Sequence, residues 1–132
     1  MKPIDIILSL MDPNADHSVA LQTAWDENIE DFWIGLDLAT SPNSFNVTKV
    51  PALDPEDDEP GTLTFGEFFT LAMRLSSGNL QGKAADAAIE EMALTADATE
   101  WNLWYRRILL KSLSKHLPMS LIQSELIRLT SE

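Results

Sequence analysis

The chain has no cysteine, which excludes disulfides and thiolate-held metal ions and suits a reducing compartment. It also has no apolar run approaching the roughly 20 residues of a membrane span. Its opening, Met1-Lys2-Pro3-Ile4-Asp5, sets an aspartate inside the first apolar stretch and does not read as a signal peptide. These features together predict a soluble intracellular domain with no membrane partner. Neither Gly-x-x-x-x-Gly-Lys-Ser/Thr nor Gly-x-Gly-x-x-Gly occurs, so no phosphate loop or dinucleotide turn is expected. The two histidines, His17 and His116, lie far apart and have no cysteine to join them, so neither is expected to be a metal ligand. The acid run from Asp54 to Glu59 lacks the alternating ligand spacing and central glycine of a calcium loop. The sequence therefore offers no catalytic residue and no metal site.

Basic residues are scarce too. Nine of them face 21 acids, for a net charge of −12, the reverse of what a DNA-binding domain usually shows. The imbalance is local. Residues 1–70 hold two basic and fourteen acidic residues, whereas residues 71–132 hold seven of each. Between Trp101 and Arg128 there are five cations (Arg106, Arg107, Lys111, Lys115 and Arg128) against Glu125 alone. Any polyanion would meet the second half.

What is present is helical periodicity over a length, 132 residues, that suits one compact domain. Pro3 to Met11 reads as a first helix, with proline in the first turn and Ile4, Ile7, Leu8 and Met11 at helical spacing. A second stretch runs from Asp16 to Trp25. A third runs from Glu27 to Ala39, with Ile29, Phe32, Trp33, Leu36 and Ala39 on one stripe, and Ser41-Pro42-Asn43-Ser44 stops it. Phe45 to Val50 alternates like a short extended segment. The prolines and acids that follow it, up to Gly61, predict a solvated loop, and seventeen residues is long for a connection. Thr64-x-x-Glu67 is a capping box opening a helix to about Ser76, Leu80 to Leu94 is alanine-rich and helical, and Asp97-x-x-Glu100 opens a helix from Ala98 to Leu113. In that last helix Trp101, Trp104, Tyr105, Ile108 and Leu109 share one face, with Leu103 and Leu110 opposite, so it should be the central helix. Ser114 to Ser120 is a predicted loop, and Leu121 to Leu129 a final helix. The expected fold is all-α, a compact bundle of six or seven helices without a sheet or internal repeat.

Two segments suggest anion contacts. Asn79-Leu80-Gln81-Gly82-Lys83 is a turn entering a helix, where free backbone N–H groups and a lysine both favour a phosphate; ordinary helix starts look alike. Tyr105-Arg106-Arg107, then Lys111 and Lys115, string cations along and just past another helix. One of the two arginines could instead be buried in an ion pair with an acid of the first half.

These segments resemble the N-terminal DNA-binding domain of ATP-dependent DNA ligases of the T-even bacteriophage type. The similarity rests on Gly61-Thr62-Leu63-Thr64 leading to Phe68-Phe69-Thr70-Leu71-Ala72-x-Arg74-Leu75, and on Leu80-Gln81-Gly82-Lys83-Ala84-Ala85 with Ala88-Ile89-Glu90-Glu91-Met92. It rests most on Trp104-Tyr105-Arg106-Arg107-Ile108-Leu109-Leu110-Lys111-Ser112-Leu113. Leu36-x-Leu38-Ala39-x-x-Pro42 followed by Phe45-x-Val47-x-Lys49-Val50-Pro51 resembles a loop of the same family. The resemblance spans about residues 4–129 and is carried by order and spacing.

It implies a monomeric helical domain that lies along the minor groove of nicked duplex DNA in a bacterial host cytoplasm and holds it by sugar-phosphate contacts, which position without reading sequence. The contact residues it implies are Gln81, Gly82 and Lys83, the pair Arg106 and Arg107, and Lys111, Ser112, Lys115 and Ser120, with Lys49 from the earlier loop. The family's Lys-x-Asp-Gly nucleophile does not occur here; Lys83 is followed by Ala84-Ala85-Asp86. The resemblance therefore implies a non-catalytic domain without a cofactor of its own, its ATP and Mg²⁺ belonging to a catalytic domain expected beyond Glu132. Ser114 to Met119 departs from the family, being longer than its loop and carrying proline in place of glycine. The rival reading of the −12 charge is an acidic helical protein that imitates DNA, or a plain protein-interaction module.

Overall fold

Pro3 supplies the preset φ that starts the first helix, and the Asp5 carboxylate accepts the Lys2 backbone N–H at 2.9 Å. This is α1, Pro3–Met11, in a computed structural model that describes residues 2–131 except 43, 44, 46, 48 and 58, and the side chain of 57. α2, His17–Asp26, is capped by Asp16, which accepts from the Val19 N–H at 3.2 Å. α3, Glu30–Thr40, follows a turn at Asn28, whose left-handed φ of 54° asparagine tolerates better than most residues. The reciprocal Thr64–Glu67 capping box opens α4, Phe65–Ser76. α5, Gly82–Ala93, starts on a glycine at φ 66°, where a side chain would be strained.

The next helix, α6, covers residues 98–109 in three pieces. An α turn, Ala98–Glu100, is capped by Asp97 accepting from the Glu100 N–H at 2.7 Å. A π-helical stretch, Trp101–Tyr105, carries the Arg106 N–H back to the Trp101 carbonyl, and Arg106–Leu109 closes the helix. A 3-10 turn, Leu113–His116, leads to α7, Met119–Thr130. The result is an all-α, compact bundle of seven helices, without a strand among the described residues. Among the described residues no helix is long and apolar enough to cross a membrane.

α6 is the axis of the core. Trp101, Trp104, Tyr105, Ile108 and Leu109 are all buried, packed against α3 and the N-terminal helix. Trp104 lies nearly parallel to Phe32 of α3, with ring centroids 6.2 Å apart. It can do so because position 35 is glycine; a Cβ there would run into the far edge of the indole. α2 pairs with α7, and α4 with α5. Thr62 and Leu63 both donate backbone N–H groups to the Thr95 carbonyl, which ties the entry of α4 to the turn before α6.

Two sequence expectations need correction. The central helix ends at Leu109, four residues short of Leu113, in a Schellman closure: the Ser112 N–H returns to the Arg107 carbonyl and that of Lys111 to Ile108. Lys111 takes the left-handed position at φ 58°, where glycine is usual. The predicted loop from Ser114 to Ser120 is instead a 3-10 turn and the start of α7. The solvated reading holds where the acids stand, with Asp54, Glu56, Glu59 and Gly61 exposed, while Phe45 and Val50 before them are buried in the core cluster. Its expected extended form and acid run fall partly on Asn46, Thr48 and Asp58, outside the described residues.

Candidate nucleic-acid interface

The C-terminal end of α6 and the 3-10 turn after it carry four basic residues. Arg106 and Arg107 are half-buried, and Lys115 and His116 are exposed. The Arg106 Nε donates to the Val50 carbonyl at 3.1 Å, and an Arg107 terminal nitrogen lies 3.5 Å from the Met11 sulfur. Neither arginine is in an ion pair; among the described residues the one side-chain ion pair joins Arg128 to Glu125 at 2.8 Å. The alternative of an arginine buried against an acid of the first half is thus not what these residues form.

Arg107 and His116 feel their basic neighbours. Burial, then the charge of Arg106, pushes the Arg107 guanidinium below its ordinary range. Burial, followed by Arg107 and Lys115, pushes His116 down. In a chain with more than two acids per cation, a cluster of mutually repelling basic groups without carboxylates is costly unless something anionic covers it. That is what phosphate groups do.

Lys111 is placed otherwise. Its ammonium turns inward onto the C-terminal end of α3, donating to the Leu38 carbonyl, to the Ser41 carbonyl at 3.1 Å and to the Ser41 hydroxyl at 3.0 Å. It also lies 4.7 Å from the centre of the Phe45 ring. Burial lowers its pKa, opposed by Asp37. Since α3 has no basic residue of its own in its last turn, Lys111 serves as its C-terminal counter-charge. Ser112 is half-buried, its N–H used in the helix closure. Ser120 is exposed in the first turn of α7.

Gln81, Gly82 and Lys83 sit together and exposed at the start of α5, a separate group carried by a different helix. The Gln81 side-chain amide donates to the Gly78 carbonyl at 3.2 Å. Lys49 is exposed beside Val50. No cluster of three or more potential metal ligands occurs among the described residues.

Sequence reasoning passed over the residues that tie the 45–61 segment to α6. Asn102 accepts from the Leu53 N–H and donates to the Leu53 carbonyl, both at 2.8 Å. The Trp101 indole donates to the Pro51 carbonyl at 2.7 Å. The one available signal was a lone amide between Trp101 and Leu103 in an otherwise apolar stretch.

Over this architecture the chain superposes on two solved structures. One, titled Pmar-Lig_PreS3, matches with a TM-score of 0.84 at 27% identity over 99% of this chain. The other, Pmar-Lig_Pre., matches with a TM-score of 0.83 at 28% identity over 97% of this chain. Both neighbours are ligase-related by their titles. This chain spans 31% and 30% of the length of those two chains, compatible with a domain of a larger ligase. No protein-family model matches the sequence, and no curated protein is significantly similar to it.

Proposed function

We propose that this ligase-related chain is a DNA-gripping domain of the kind found in T-even-type phage ligases. On this reading it binds nicked duplex DNA through the sugar-phosphate rails without reading bases. It presents the nick to a catalytic domain outside this sequence, which supplies the adenylated lysine, ATP and Mg²⁺. The carrying observation is the group of Arg106, Arg107, Lys115 and His116, not in ion pairs although acids outnumber cations. Arg107 and Lys115 are the leading contacts. Gln81, Gly82 and Lys83 at the α5 start would hold a second phosphate, and Ser112 and Ser120 would flank the first group. Lys111 acts indirectly, by fixing the end of α3 under the patch.

Each lysine or arginine that neutralises a phosphate releases counterions and contributes about 0.9 to the slope of log affinity against log salt. Arg107→Glu and Lys115→Glu should therefore each weaken binding to a nicked duplex about tenfold or more at low salt. Each should also flatten the slope by about one, as read by fluorescence anisotropy. Unchanged binding in both variants would reject the patch. If the chain fails to bind duplex at all but inhibits a DNA-binding protein, the DNA-imitating reading replaces this one.

A further inference from the structure

Residues 49–53 follow α6 as a strap. Three α6 side chains hold it by its backbone: Arg106 on the Val50 carbonyl at 3.1 Å, Trp101 on the Pro51 carbonyl at 2.7 Å, and Asn102 on both the N–H and the carbonyl of Leu53 at 2.8 Å. Asn102 and Arg106 are four residues apart and so share one side of the helix. Val50 is buried and Leu53 packs against the core, which fixes the strap from beneath.

The register has a consequence for Lys49. Its α-carbon is one peptide, about 3.8 Å, from that of Val50, and the Val50 carbonyl rests on the Arg106 guanidinium. Lys49 is exposed. Arg106 spends Nε on the strap, while its two terminal nitrogens carry no hydrogen bond to a described residue. Guanidinium nitrogens without a protein acceptor suit a phosphate oxygen pair, and Lys49 is the next residue along the strap from the carbonyl that Arg106 holds.

We infer that Asn102 is the positioning residue that sets the register of the strap, and that the strap so held brings Lys49, a contact the resemblance already implies, to the Arg106–Arg107 patch. The inference rests on the DNA-binding reading above. It makes Asn102 matter for binding only through Lys49, a role distinct from simple contribution to stability.

The test is a double-mutant cycle on the whole chain, using a fluorescein-labelled nicked duplex over a salt series, with Arg107→Glu as reference. Lys49→Gln should weaken binding several-fold and reduce the salt slope by about one. Asn102→Leu keeps the branched shape and heavy-atom count and removes both hydrogen bonds; it should give a similar loss while thermal melting shows a folded chain. The double variant should bind no worse than Lys49→Gln alone, because the two losses are the same loss. Independent, multiplying effects would overturn the positioning role. Full binding by Lys49→Gln while Arg107→Glu abolishes it would overturn the strap and leave the DNA reading standing. Full binding by both single charge variants would remove the DNA reading and this inference with it. Because Lys49 is exposed, its variant decides even if Asn102→Leu fails to fold.

Discussion

Glu100 is the one buried charged residue among those described, 8% exposed in the first turn of α6. Burial first, then the nearby Asp97, raises its pKa above the ordinary 4.5. Asp5 adds to the rise, while Lys2 and a hydrogen bond with Tyr105 oppose it. The same burial and the Glu100 charge push the Tyr105 phenol up. A raised carboxyl pKa means that the folded state holds its proton where the unfolded chain has released it. The stabilising contribution is then fully present below the unfolded value and is lost as pH rises through the folded one. Glu100→Gln, which stays neutral and can still accept from Tyr105, should gain melting temperature relative to the parent as pH rises from about 4 to about 7. Parallel melting curves across that range would show that this carboxylate does not titrate against folding.

Between elements, Lys111 shows how a residue's direction can escape a sequence. Its charge and place after Arg107 mark it as a surface cation, and a helix running to Leu113 would leave it there. In the left-handed position the chain turns off the helix, a conformation that costs a non-glycine residue roughly 1–2 kcal/mol. The Leu38 and Ser41 acceptors and the Phe45 ring offset that cost. Nothing in Leu109-Leu110-Lys111-Ser112-Leu113 announces the closure, because apolar spacing continues through it and the usual glycine is missing. By contrast α1 and α4 were legible to their ends, since a proline at the first turn and a Thr–Glu box are local devices. The strap was illegible for a general reason: it is held by backbone carbonyls, which every residue owns, so composition reported only its prolines and acids. Of the candidate site, Arg106, Arg107 and Lys115 could be found by charge density alone. The withdrawal of Lys111 and the role of Asn102 required three dimensions. Lys111→Met would keep the aliphatic stem and lose the ammonium, leaving the end of α3 uncapped. It should cost about 1–3 kcal/mol in urea unfolding; a loss below about 0.5 kcal/mol would mean that α3 does not depend on it.

At the scale of the molecule, charge is polarised along α6. Leu53 on Asn102 fixes the start of the acidic segment, and Gly61 packing on the backbone of Ala96 and Asp97 fixes its return. Asp54, Glu56 and Glu59 thus stay exposed around the N-terminal half of the helix, while the basic group occupies its C-terminal end. From Ala98 to Arg107 the helix rises about 14 Å. That exceeds the Debye length of about 8 Å at 0.15 M salt and falls well inside the 30 Å of 0.01 M. A bound duplex should therefore feel the acidic end at low ionic strength and be nearly blind to it near physiological salt. The variant Asp54→Asn/Glu56→Gln/Glu59→Gln should bind nicked duplex several-fold more tightly at about 0.01 M salt, and by no measurable margin at about 0.15 M. An equal gain at both salts would place those carboxylates against the DNA, and so put the duplex on a different face from the one argued here. No gain at either would mean that the long-range field of a chain with net charge −12 does not reach the bound duplex at all.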